Sequence, residues 1–209
     1  MSLPDSVTRR EFDGEDRLAT RGQPVYGEPT DGDWRLWDAR RSKLGAMFEL
    51  GMETGLEDGD RVLYLGAASG TTVSHVADFS GPTYAVEFAT RPARDLLDVA
   101  ESRDRLFPLV KDARTPERYA HVVENDLDAI VQDVATSGQA RVALENKRFL
   151  AEDGRLVAAF KARSEDVTAD PDDVFEGVLA TLENGYEILD TERMEPFHDD
   201  HLAVIATPK

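Results

Sequence analysis

From residue 61 onward the chain alternates apolar runs of strand length with segments of helical period, and few folds accept that order. "RVLYLGA" (61 to 67) is followed by the helical "TTVSHVADF". "TYAVEF" (83 to 88) is followed by "RPARDLLDVAESR", with Leu96, Leu97, Val99 and Ala100 at helical spacing. "LFPLVKDA" (106 to 113) holds Pro108, which confines it to a sheet edge or a strand start. "LDAIVQDVA" (127 to 135) is a fourth strand, and "QARVALENKRFLAEDG" reads as a helix stopped by Gly154. "RLVAAFKA" (155 to 162) is the fifth strand, and the helix "VFEGVLATLEN" ends at Gly185. "YEILDTERM" (186 to 194) and "HLAVIATPK" (201 to 209) are joined only by "EPFHDD", too short for a helical crossover, so they pair as an antiparallel hairpin. The pattern predicts an α/β fold with a seven-stranded, mostly parallel sheet closed by a C-terminal hairpin. That hairpin separates it from a dinucleotide-binding Rossmann domain.

Residues 1 to 55 read differently: turn-punctuated pieces such as "GQPVYGEPTDGDWRLWD", then a helix, "RSKLGAMFELGME". The expectation is a small, partly β appendage packed beside a main domain of residues 56 to 209. No cysteine is present, which removes disulfides and thiolate metal sites, and no metal is expected. The N-terminus lacks an apolar signal core and no run approaches the ~18 apolar residues of a membrane span, so a soluble, cytoplasmic protein with no membrane partner is expected.

Charge constrains partners. Asp and Glu total 42 against 24 Lys and Arg, a formal net charge of -18, and lysine occurs only at positions 43, 111, 147, 161 and 209. Such a surface repels nucleic acid and membranes unless cations cluster locally. It suits a salt-loaded cytoplasm, where screening relieves self-repulsion while charge maintains solubility, so a halophilic source is expected.

In open α/β sheets a ligand lies beyond the carboxyl ends of the strands, where the first strand-to-helix turn brings backbone close to it. In "VLYLGAASGTT" that turn is Gly66, Ala67, Ser69 and Gly70, running into Thr71 and Thr72. Its G-x-x-x-G spacing lacks the pyrophosphate fingerprint G-x-G-x-x-G and the Gly-Lys-Ser/Thr of a P-loop. It suits the amino-acid portion of a cofactor. Glu87, ending the second strand, can accept two hydrogen bonds from a ribose diol. Asp112, ending the third, can face an adenine amino group, and Asp133, ending the fourth, faces the reactive end. One acid at three successive strand ends resembles the S-adenosylmethionine-dependent methyltransferases.

"YLGAASGTTVSHVADF" with "AVEF", "KDA", "QDVA" and "FKARSEDVT" resembles fibrillarin in its archaeal form, the RNA ribose 2′-O-methyltransferase family of C/D-box guide ribonucleoproteins. The similarity extends to "WRLWDARRSKLGA" upstream and "EPFHDDHLAVI" downstream, from about residue 24 to the end. The resemblance implies a Rossmann-like class I methyltransferase fold and S-adenosylmethionine as cofactor. It places cofactor contacts on Thr71, Thr72, Glu87, Phe88, Asp112, Ala113, Asp133, Val134, Ala135 and Thr136; the last stands where fibrillarins usually carry glutamine. It also places a Lys-Asp-Lys-His group around the target ribose on Lys43, Asp133, Lys161 and His201. The implied partners are guide RNA, target rRNA or tRNA, a Nop-domain scaffold and a kink-turn-binding protein.

A ribose hydroxyl is too weak an acid to ionise near neutrality and a sulfonium is already a good leaving group, so such an enzyme aligns atoms and stabilises charge growing on oxygen. Lys161 is expected to supply that charge with Asp133 orienting it, Lys43 to hold the ribose or phosphate, and His201 to position or accept the proton. Arg9, Arg10, Arg35, Arg40, Arg41 and Arg163 are expected to form a small basic patch, with most RNA affinity coming from partners. Competing readings are a methyltransferase of protein side chains or small molecules, a non-catalytic ribonucleoprotein component and, least favoured, a nicotinamide oxidoreductase.

Overall fold

The strand-length apolar runs become the centre of the molecule. The computed structural model describes residues 3–209, and its main sheet comprises β5 (Val62–Leu65), β6 (Thr83–Val86), β7 (Leu106–Leu109), β8 (Leu127–Gln132), β9 (Leu150–Lys161), β10 (Tyr186–Arg193) and β11 (His201–Pro208). Their order is β10-β11-β9-β8-β5-β6-β7. β5 pairs in parallel with β6 and β8, and β11 runs antiparallel between β9 and β10. Every residue of β5 and β6 is buried, as a parallel sheet covered on both faces requires. β7, with Pro108, is an edge strand.

Helices fill both faces: α1 (Lys43–Glu49), α2 (Thr71–Phe79), α3 (Thr90–Ala100), α4 (Gln139–Asn146), the short α5 (Ala162–Glu165) and α6 (Pro171–Leu182). Alternation along β5 sends Val62 and Tyr64 into one apolar cluster with Leu44, Phe48 and Val73, and Leu63 and Leu65 into another with Phe149, Phe175 and Leu182.

One boundary differs from expectation. α4 ends at Asn146, a tight turn covers Lys147–Phe149, and β9 begins at Leu150, so Gly154 lies inside a strand rather than capping a helix. The register between β8 and β9 shifts there, and a Cβ on Gly154 would lie 2.7 Å from Leu150 Cδ1 and 3.0 Å from the Leu127 carbonyl. Glycine permits that close approach of two strands.

The N-terminal segment forms an antiparallel sheet ordered β1-β2-β4-β3 from β1 (Val7–Phe12), β2 (Glu15–Arg21), β3 (Thr30–Asp31) and β4 (Trp34–Leu36). Its apolar side joins the main core through Val7, Leu18 and Trp37. Its polar side is pinned to α2 by a dry charged junction. Arg35, wholly buried, donates to Glu28 (2.6 Å), Asp78 (2.8 Å) and Ser74 Oγ (3.0 Å). Arg103 reaches the other Asp78 oxygen at 3.2 Å. Thr20 donates to Asp78 (2.7 Å), so its oxygen receives the Nδ1–H of His75, also at 2.7 Å. His75 stacks on Trp37 at 4.9 Å, and burial, reinforced by Arg35 and Arg103, pushes its pKa well below the ordinary 6.5.

Candidate active site

The strand order reverses beside β5, and a crevice opens at such a switch point. It is a cleft of about 380 Å³ lined by residues that include Gly66, Ala68, Glu87, Phe88, Asp112, Asp133 and Thr136. The turn after β5 forms its wall. Gly66 has φ +86°, and a Cβ there would lie 2.2 Å from the Asp133 carbonyl oxygen, so only glycine fits between the two strand ends. Gly70, at φ +92°, caps α2.

Glu87 is buried and rigidly aimed. One carboxylate oxygen accepts the Ala68 N–H at 2.9 Å and the other the Ala89 N–H at 2.7 Å. Each oxygen retains a further lone pair, which fits a vicinal diol. Asp112 is gripped by Arg114 through Nε (3.0 Å) and Nη2 (2.6 Å), and that guanidinium holds its carboxyl below the usual range. Phe88, 64% exposed, offers a flat apolar face, with the Arg114 guanidinium 6.0 Å from its ring centre. A diol acceptor, an acid and an aromatic face within one cleft match the ribose and base of an adenosine.

Asp133, in the cleft lining, accepts from Lys43 Nζ on Oδ2 at 3.0 Å, both side chains about a quarter exposed. Ser42 caps α1, accepting the Gly45 N–H (3.0 Å) and the Trp37 indole N–H (2.8 Å), and so fixes Lys43 in the first turn. Lys161 lies at the exposed end of β9 directly opposite His201 on β11. His201 Nδ1 donates to the Asp199 carbonyl at 2.6 Å, which leaves Nε2 as an acceptor. Burial lowers its pKa below 6.5, the Asp199 carbonyl and Asp133 partly opposing and Lys43 reinforcing.

The sequence and the fold have known counterparts. A fibrillarin family model matches residues 7–209. The chain belongs to the fibrillarin family. It is 73% identical to the fibrillarin-like rRNA/tRNA 2′-O-methyltransferase of Halorubrum lacusprofundi, covering 100% of this chain and 98% of that protein. Among solved structures, a fibrillarin in complex with Nop5p superposes with TM-score 0.90 at 38% identity over the full length of both chains. Aeropyrum pernix fibrillarin with natively bound S-adenosyl-L-methionine superposes with TM-score 0.84 at 41% identity, covering 99% of this chain and 100% of that one. The halophilic source of the first relative accords with the acidic, lysine-poor surface.

Within this fibrillarin fold the expected cofactor residues other than Gly70, which caps α2, fall into three groups. Gly66, Glu87, Phe88, Asp112, Ala113, Asp133, Val134, Ala135 and Thr136 line the cleft itself. Ser69 and Thr71 instead line a second, more polar cavity of about 720 Å³ behind the turn, with Tyr26 and Arg103. Ala67 and Thr72 are buried in the turn and helix start. The lysine assignment changes: Asp133 pairs with Lys43, not Lys161, whose ammonium makes no hydrogen bond or ion pair among the described residues.

The expected basic patch is dispersed. Arg35 is sealed in the junction, while Arg9, Arg10 and Arg163 are paired with Glu49, Asp31 and Asp200. Arg41, exposed, stacks 4.4 Å from the Tyr26 ring centre, and Arg40, also exposed, is the one of the six with neither a carboxylate partner nor a ring contact among the described residues. Carboxylates outnumber cations so heavily that most arginines meet one. Lys111, Arg114 and Ala68 also line the cleft and went unforeseen; the "KDAR" run around Asp112 was the available signal.

Proposed function

We propose that this chain binds S-adenosylmethionine in the cleft beyond β5, β6 and β8 and methylates the 2′-hydroxyl of a ribose in rRNA or tRNA. The observation that carries the reading is the backbone-held Glu87 carboxylate lining the same cleft as Asp133, which pairs with Lys43. When bound, the sulfonium supplies a methyl group that passes to the ribose oxygen while the C–S bonding pair stays on sulfur.

The chain's residues then have separable tasks. The backbone-held Glu87 carboxylate accepts the ribose hydroxyls, Phe88 covers the base, and Asp112 accepts from its amino group. The Gly66 turn leaves room for the amino-acid end. Lys43, fixed by Ser42 and Asp133, positions the target nucleotide. Lys161, a cation with no carboxylate to neutralise it, stabilises negative charge growing on the attacking oxygen. His201, neutral and with Nε2 open, accepts the hydroxyl proton.

RNA affinity comes chiefly from partners, because only Arg40 of the expected patch is left unpaired and unstacked. A guide RNA, a Nop-domain scaffold and a kink-turn-binding protein would present the ribose, and target choice would reside in base pairing. No helix among the described residues is long and apolar enough to cross a membrane, and the reading places the work in the cytoplasm.

The test is reconstitution with scaffold, kink-turn protein and guide RNA in concentrated KCl with labelled methyl donor. Label at the guide-specified ribose is expected, with little from the isolated protein. Robust, site-specific labelling by the protein alone would overturn the partner dependence, and labelling of protein or small molecules instead would overturn the RNA assignment.

A further inference from the structure

Lys161 occupies a position that a β-sheet alone leaves unsupported. β8 ends at Gln132, whose register partner on β9 is Ala158, so the last three residues of β9 extend past their parallel neighbour. On the other side β11 continues, and the Ala162 N–H reaches the Asp200 carbonyl at 3.0 Å. Peptide groups of a strand alternate in direction, so the N–H and C=O of Lys161 face the side where β8 has stopped. An unpaired donor and acceptor there would be costly.

A side chain stands in for the missing strand. Gln139, wholly buried at the start of α4, accepts the Lys161 N–H on Oε1 at 3.0 Å and donates from Nε2 to the Lys161 carbonyl at 3.0 Å. A primary amide is well suited to this because it offers an acceptor and two donors on one plane. Gln139 is itself held: its carbonyl accepts from Gln132 Nε2 (2.9 Å), its N–H donates to Glu165 Oε1 (2.7 Å), and its second amide hydrogen faces the same oxygen (3.0 Å). Glu165 Oε2 also accepts the Gly138 N–H at 2.7 Å, so one carboxylate ties α5, immediately after Lys161, to the N-terminus of α4.

We propose that Gln139 is a positioning residue for Lys161, replacing a strand of the sheet at the one place where the chain must expose a strand end to substrate. The inference rests on the reading of Lys161 as the stabiliser of the attacking oxygen. The amide sets the direction in which the lysine leaves the sheet while keeping the space beyond β8 open for RNA. A continued β8 would close that space. Gln132, bonded to Gln139 and adjacent in sequence to Asp133, links the two halves of the site through backbone and amide alone.

Two variants test this in the reconstituted complex. Gln139→Met keeps volume and removes both hydrogen bonds. It should lower kcat about tenfold with KM for the methyl donor unchanged, since a single positioning contact is typically worth about that much. Hydrogen exchange at the Lys161 amide should accelerate while Val157, deeper in β9, stays protected. In a Lys161→Ala background Gln139→Met should cause no further loss, because a residue that acts through Lys161 has nothing left to aim.

Gln139→Glu should accept the Lys161 N–H when ionised yet fail to donate to its carbonyl, so the ratio of variant to parent rate should rise as pH falls and the acid regains a donor. Parent-like kcat in Gln139→Met, or losses that multiply in the double variant, would overturn the proposal. Parent-like turnover in Lys161→Ala would instead overturn the reading of Lys161, with the exchange measurement still reporting whether the amide holds that strand end.

Discussion

The junction beneath the N-terminal sheet and the cleft at the strand ends are built from the same residue types and treat them oppositely. At the junction Arg35, Glu28, Asp78 and Arg103 are dry and meet one another directly. At the cleft Lys43 and Asp133 are partly wet, and the Lys161 ammonium has no partner among the described residues. Charges that meet one another in the dark hold the fold; charges left open at a strand end are available for chemistry. In a chain with net charge -18, a free lysine is the more informative because carboxylates are everywhere.

The contrast breaks if a junction variant spares stability or a cleft variant spares activity. Arg35→Ala leaves Glu28 and most of Asp78 buried without their main cation and should cost about 3 to 5 kcal/mol of stability, measured by denaturant melts in concentrated KCl. Preserved stability would mean the junction is not dry. Lys161→Ala should leave the melt unchanged and lower turnover about 100-fold or more, in the range for loss of one preorganised charge stabiliser. Parent-like turnover with normal cofactor binding would sink its assignment.

Glu87→Gln keeps shape and replaces one acceptor oxygen with a donor facing the Ala68 or Ala89 N–H. Affinity for the methyl donor by calorimetry should fall at least tenfold, about 1.4 kcal/mol, with the melt little changed. His75 sharpens the contrast through pH. Its folded pKa lies well below 6.5, so below pH 6.5 the unfolded chain takes up a proton that the folded chain refuses. Stability from this group is complete above 6.5 and declines as pH falls, by up to about 1.4 kcal/mol per unit. Comparing parent with His75→Gln across pH 5 to 7 should show a shallower acid slope in the variant. Arg163→Ala removes an exposed pair with Asp200 and a hydrogen bond to the Val167 carbonyl and should change stability by less than about 1 kcal/mol, an effect that shrinks as KCl is raised.

The alternating apolar runs made the sheet, its edge strand and its closing hairpin legible, because both faces of a parallel sheet are buried and leave little else for such runs to be. The strand-end acids were legible for the same reason: they sit where those runs stop. What escaped was pairing across sequence. Lys43 and Asp133 lie 90 residues apart, and nothing in either neighbourhood names the other. Arg35 reads as a surface cation until the fold places Glu28 and Asp78 around it. Gly154 reads as a helix stop because the strand that needs its missing Cβ is Leu127's, distant in sequence. Gln139 carries no mark of its role within the helical run "QARVALENKRFLAEDG", since acting as a strand substitute depends on where β8 ends.

The apolar cluster that runs from Val7 and Leu18 through Trp37 to Val62 and Ile205 crosses from the N-terminal sheet into the main sheet without interruption. With the charged junction beside it, no slip plane is left between the two parts. Any displacement of the N-terminal sheet must therefore carry the cleft with it, because the two parts move as one rigid body.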